Sequence, residues 1–230
     1  MFRHTAFFLF NENITAEKHL AMLKGLAYMR FEIPSVLALD YGSDIFGGSS
    51  RLREIKPYRR TPRWRAREDG PPCNYDVALH LDFTDAVGNQ AYNEDDVHHE
   101  VGEYNAAVGQ PELTARVDWE YEGEPLIRRG HVRHSAMFLW ADTADDAARA
   151  RALEDVRRLE SADEVEALTV GHNVGKLTTD YDWIFDIHTP DEASAKSLIH
   201  SDVYSEVMRA LVPVTKYEWT ARISHVMRGL

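Results

Sequence analysis

The chain has 230 residues, with 38 acidic side chains against 26 basic ones and a net charge of −12 at pH 7. That balance leaves no general cationic surface, which argues against a nucleic-acid backbone or an anionic membrane as partner. A single cysteine, Cys73, excludes an intramolecular disulfide, no apolar run approaches the roughly 20 residues of a spanning helix, and the opening strand is too short for a secretory leader, so the expected location is the cytoplasm.

The first element is Phe2-Arg3-His4-Thr5-Ala6-Phe7-Phe8-Leu9-Phe10. Period-two alternation puts His4, Ala6, Phe8 and Phe10 on one face and Arg3, Thr5, Phe7 and Leu9 on the other, so this strand is expected to be covered on both sides. Thr15 caps a helix to about Tyr28, with Leu20, Leu23, Leu26 and Ala27 as its apolar stripe. Pro34 opens a second strand, Val36 to Tyr41, which Gly42 ends. Residues 43 to 73 are an insertion carrying Arg51, Arg53, Lys56, Arg59, Arg60, Arg63, Arg65 and Arg67 among Tyr58, Trp64 and four prolines. It reads either as a solvated loop or as a lid that presents arginines to an anionic substrate. Val77 to Phe83 is a third strand, 86 to 108 a helical region, 113 to 121 a fourth strand, and Glu122 to Arg129 a linker.

The opening then recurs as Val132-Arg133-His134-Ser135-Ala136-Met137-Phe138-Leu139-Trp140. A helix follows from a Thr143 cap with Asp146 in a capping-box position, to about Leu159. Strands at 165 to 170 and 183 to 188, a helix at 191 to 211 and a strand at 214 to 223 complete the order. Such self-similarity implies a duplicated α+β unit, βαββαβ twice, at 1–124 and 130–230. Only the first copy has the long insertion.

Tyr92 and His98 are the leading candidates for chemistry. On one unbroken helix they would point about 120° apart, but the intervening Asn93-Glu94-Asp95-Asp96 is poor helix interior and good N-cap material. One helix is therefore expected to end near Tyr92 and another to begin at Asp95 or Asp96, bringing both side chains to one pocket. His98 in the first turn would be kept neutral by the helix dipole, as a base at pH 7 must be. His4 and His134 hold matching places in the two copies and read as hydrogen-bonded, architectural histidines. With neither an HExxH nor a Cys/His cluster, no metal is expected, and without GxGxxG, GxxxxGK[ST] or GxSxG neither a nucleotide cofactor nor a hydrolase elbow is.

The doubled βαββαβ order, the Arg-His opening strand and the Tyr-then-His segment resemble the stress-responsive dimeric α/β-barrel (Dabb) family over nearly all of both halves. The resemblance implies two ferredoxin-like repeats paired through their sheets into an eight-stranded, pseudo-dimeric α/β barrel. Within that family the chain is most similar to polyketide cyclases of the olivetolic acid cyclase type, with His4, Tyr92 and His98 at the positions of the cyclase pocket's His, Tyr and catalytic His. Asp95-Asp96 replaces the cyclase's His-Pro pair, and Val77 stands where its third-strand His would be, two residues after Tyr75.

The resulting expectation is a cofactor-independent cyclase or isomerase for a polyketide-like carbonyl compound. His98 would take the α-proton, Tyr92 would donate to the enolate oxygen, and His4 would orient the substrate or share the proton. Phe8, Phe10, Leu23 and Tyr28 would line the pocket, while Arg59 and Arg60 would hold a carboxylate or an acyl carrier. The chain itself is expected to be an intramolecular pseudo-dimer, with further homodimerisation open. Two rival readings are a non-catalytic stress or ligand-binding barrel and a haem-binding barrel ligated by His172 or His200.

Overall fold

Strand alternation and duplication together build two four-stranded antiparallel sheets. The computed structural model describes residues 1–46, 73–125, 127–175 and 181–229. In the first half β1 (Phe2–Phe8), α1 (Ala16–Glu32), β2 (Ala38–Ser43), β3 (Val77–Phe83), α2 (Ala86–Asn93), α3 (Asp96–Val108) and β4 (Ala115–Glu120) give the sheet order β2-β3-β1-β4. In the second half β5 (Val132–Phe138), α4 (Asp146–Arg157), β6 (Ala167–His172), β7 (Trp183–Thr189), α5 (Glu192–Ile199), α6 (Asp202–Leu211) and β8 (Ala221–Val226) give β6-β7-β5-β8. Each half is a ferredoxin-like α+β repeat. Among the described residues no helix is long and apolar enough to cross a membrane.

Several local expectations change. Thr15 does cap α1, its hydroxyl accepting from the Lys18 amide, but the buried stripe is Met22, Leu23, Leu26 and Met29, and Leu20 lies exposed. The cap of α4 is Asp145 rather than Thr143, because the Asp145 carboxylate accepts from the Ala148 amide at 2.8 Å. The single helix expected at 191 to 211 is two helices, broken where Ser201 accepts from the Tyr204 amide. The last strand begins at Ala221 rather than 214, since the chain first makes a 3₁₀ turn at Tyr217–Trp219.

The two sheets join at both edges. On one side the Val174 amide donates to the Asp118 carbonyl at 2.6 Å and the Tyr181 amide to Arg116 at 3.1 Å. On the other the Ile45 amide donates to Ser224 at 2.8 Å and the Asn74 amide to Arg222 at 3.0 Å. These bonds close an eight-stranded barrel. Gly42 and Gly171 lie within strands rather than ending them, each where a ring from the other half crosses: a Cβ would sit 2.8 Å from His225 Cδ2 at the first and 2.1 Å from Trp119 Cε3 at the second.

Three apolar cores follow from this arrangement. One lies under the helices of each half, and a third, including Phe7, Leu9, Trp119, Met137, Ile184 and Ile223, lies between the sheets. The interior also holds charge. Buried Arg3 donates to both oxygens of Asp82, at 2.7 and 3.0 Å, and reaches Asp186 of the second half at 3.1 Å. Arg133 approaches Asp40 of the first half at 3.3 Å and donates through Nε to His188 Nε2 at 3.1 Å, while His225 meets the same Asp40 oxygen at 3.0 Å. Each half thus supplies partners for the arginine of the other.

Two expected outcomes follow. Gly171→Ala forces its methyl into a fully buried indole and costs on the order of 3 kcal/mol by urea unfolding, whereas Gly102→Ala in α3, whose added methyl meets nothing within 4 Å, gains up to about 1 kcal/mol. Burial and then Arg133 hold His188 down at about 2, and burial holds His134 at about 3, against 6.5 ordinarily. Both rings therefore take up protons on unfolding once the pH falls below about 6.5, so stability is full above that value and declines as the pH drops toward the folded-state values. His188→Gln, which keeps an acceptor for Arg133, flattens the decline in unfolding midpoint between about pH 6.5 and 4.

Candidate active site

The break between α2 and α3 brings Tyr92 and His98 together. Asp85 starts α2 by accepting from the Val87 and Gly88 amides, and α2 ends at Asn93. Asp95 then starts α3 by accepting from the Val97 amide at 2.9 Å, which leaves His98 in the first turn. The two rings stand 4.1 Å apart between centroids, and the ring of His4, on β1, is 5.9 Å from that of Tyr92. All three line a cavity of about 680 Å³ between the first sheet and α2–α3. Its walls are largely apolar, from Phe2, Ala6, Phe8, Leu9, Met29 and Leu79, with Asn89, Asn105, Gln110, Arg116 and Asp118 as polar points.

Asp118 is the residue that the sequence reading missed. Antiparallel pairing of β1 with β4 sets His4 directly opposite Asp118, and His4 Nδ1 lies 2.5 Å from its Oδ1. Asn89 donates to the other oxygen at 3.4 Å. Burial pushes the Asp118 carboxyl up, but the hydrogen bonds and charge of His4, together with Asn89 and Arg116, outweigh it and hold the group below the ordinary carboxylate value. It is ionised at neutral pH. With Nδ1 taken by the carboxylate, Nε2 is the nitrogen of His4 left to face the cavity. The second half grips the same strand: Asn173 Oδ1 accepts from the Asp118 amide at 3.3 Å, and Gly175 has no Cβ where one would lie 3.1 Å from Asp118 Oδ2. A signal was present in Arg116-Val117-Asp118, where the even positions of an otherwise apolar strand turn polar on the face that His4 shares.

The other two groups are tuned by burial. The His98 imidazole is held down at about 4, first by burial and then by the nearby His4, with the Asn93 carbonyl partly offsetting. Neutrality was expected from the helix dipole; burial is the first cause that lowers the ring here. Its Nδ1 is buried without a hydrogen bond among the described residues. Burial, reinforced by the Asp118 charge, raises the Tyr92 hydroxyl well above its ordinary value, so it stays a proton donor.

In the second half the matching positions are plugged. His134 sits opposite Ser224, which lies 2.7 Å from its Nδ1, and Tyr204, in the place of His98, lies 2.8 Å from its Nε2. Both nitrogens are satisfied and the ring is fully buried. His134 is architectural, whereas His4 opens on a cavity.

Of the expected lining residues, Phe8 faces the cavity, but Phe10 and Leu23 are buried in the core beside α1 and Tyr28 is exposed on that helix. Burying Met22 and Met29 turns position 28 outward. Arg59 and Arg60 lie outside the described residues. His172 and His200, weighed as haem ligands, are exposed and line no part of this cavity. No group of three or more metal-ligating side chains is arranged to hold a metal among the described residues.

No protein-family model matches the chain, and no curated protein matches its sequence. Solved structures do share the fold. An anthrone oxidase-like protein superposes with a TM-score of 0.67 at 8% identity, over 100% of this chain and 92% of that one. A candidate monooxygenase from Fusobacterium nucleatum subsp. nucleatum ATCC 25586 gives 0.56 at 9% identity over 99% and 91% of the two chains. Another from Lactobacillus acidophilus NCFM gives 0.50 at 11% identity over 99% and 93%. Identities this low establish the architecture of two ferredoxin-like repeats in one chain, and no more.

The His98 ring is expected to titrate near pH 4 rather than 6.5. Following its Cε1 proton by NMR from pH 7 downward, with His98→Gln to assign the resonance, checks this; a midpoint above 6 would place the ring in water.

Proposed function

We propose that the cavity is the site of a cofactor-independent cyclase or isomerase acting on a polyketide-like carbonyl compound. The observation that carries this reading is the convergence of His4, Tyr92 and His98 on one hollow of about 680 Å³, a size suited to a small organic molecule. A carbonyl oxygen placed beside Tyr92 receives a hydrogen bond from a hydroxyl that burial keeps protonated. As a neighbouring imidazole removes the α-proton, negative charge grows on that oxygen and the bond strengthens. Apolar walls exclude water, so the enolate reaches a second carbonyl of the same molecule before it is quenched. Arg116, the cationic side chain among the described lining residues, suits a carboxylate at the end of the chain. Delivery by an acyl carrier through Arg59 and Arg60 is part of the proposal and rests on the composition of the insertion alone.

The likeness to an anthrone oxidase-like protein brings a second reading, in which the same deprotonated substrate reacts with dioxygen. Mass spectrometry separates the two. Ring closure loses water or leaves the mass unchanged, whereas oxygenation adds oxygen and consumes it from solution.

Incubating linear poly-β-ketones with wild type, His98→Ala and Tyr92→Phe tests the site. Loss of the Tyr92 donor is expected to lower turnover by about 10²–10⁴-fold, the usual worth of a positioned acid or base. Equal turnover by wild type and His98→Ala would remove His98 from the mechanism.

A further inference from the structure

We infer that the group which removes the α-proton is His4, aligned by Asp118, and that Asp118 is a positioning residue for the reaction. This inference rests on the reading of the cavity as an acid–base site. A base works best when its far nitrogen is anchored, because the anchor fixes tautomer and aim and compensates the charge that arrives with the proton. Of the two histidines in the cavity only His4 has such an anchor, at 2.5 Å from a carboxylate that is itself held by Asn89. His98 has no such carboxylate among the described residues: the Asn93 carbonyl acts on its ring, and its Nδ1 makes no hydrogen bond. The second half holds both backbone groups of Asp118, its amide donating to Asn173 Oδ1 and its carbonyl accepting from the Val174 amide. The anchor therefore stands on a braced strand rather than a free edge.

The step balances without any co-reactant. The α C–H bond breaks and an N–H bond forms on His4 Nε2; the C–H electron pair becomes the enolate double bond, and the carbonyl π pair moves onto the oxygen hydrogen-bonded by Tyr92. The enolate carbon then forms a C–C bond with a second carbonyl, whose oxygen takes the proton back from His4. The ionised Asp118 faces the imidazolium throughout and is unchanged at the end. His98, neutral and beside Tyr92, is left to orient substrate.

The duplicated half supplies the control. There the same cross-strand histidine faces Ser224, so Asp118→Ser copies a pairing this sheet already accommodates, while Asp118→Asn keeps the shape and removes the charge. The probe is acetophenone in deuterium oxide, with exchange of its methyl hydrogens read by NMR. Wild type is expected to accelerate exchange over buffer. Both variants are expected to lose about 10²-fold in kcat with KM within about threefold, and Asp118→Glu to recover part of the loss. Wild type is also expected to show a far-downfield Nδ1 proton from the short bond, absent in Asp118→Ser at an unchanged unfolding midpoint. Exchange by Asp118→Ser at the wild-type kcat, or a rise in KM alone, would overturn the assignment and leave the acid–base reading standing. No exchange above buffer by wild type would overturn both.

Discussion

A guanidinium taken out of water must find carboxylates, and the position of Arg3 makes it find them in both halves at once. Its contacts to Asp82 on one sheet and Asp186 on the other, mirrored by Arg133 reaching Asp40, cross the space between the sheets. Removing one partner of such a buried pair strands the other and costs about 3–5 kcal/mol. Apolar packing alone tolerates sliding of one sheet over another; here the bidentate pair with Asp82 fixes the aim of the guanidinium on its own sheet, and the bond to Asp186 carries that aim across to the other. The network therefore sets the relative placement of the halves, and that placement lets Asn173 and Val174, just past β6, brace the strand bearing Asp118.

The legible parts of this protein were those written in nearby residues. The recurrence of Arg-His strands foretold two repeats, and the Asn93-Glu94-Asp95-Asp96 run foretold the break that turns Tyr92 and His98 toward each other. The parts that were not legible depend on partners far away in the chain. Asp118 meets His4 across 114 residues, through a register no local pattern states. Gly42 and Gly171 resembled strand terminators because glycine usually ends local structure, whereas here each makes room for a ring of the other half. Leu20 fitted a helical stripe as well as Met22 did; what decided between them was how α1 sits on the sheet.

Duplication also shows how little separates a site from a core. The same strand pair that sets histidine against aspartate in one copy sets histidine against serine in the other, and the helix position that presents His98 presents Tyr204 instead. Exchanges such as these on one frame accompany the change from an open, charged hollow to satisfied packing. Whole-length likeness to other two-repeat chains fits a frame that tolerates such exchange, since sheet pairing and helix capping persist whatever the facing side chains are.

The closing of the second copy by Tyr204 has a consequence for stoichiometry. A symmetric pair of separate chains must carry every feature twice, including any chamber that destabilises the fold. Joining the copies in one polypeptide releases that obligation: one copy can specialise as buttress while the other keeps its vacancy. On the proposed reading of the first copy's cavity, occupancy is then one guest per polypeptide rather than two.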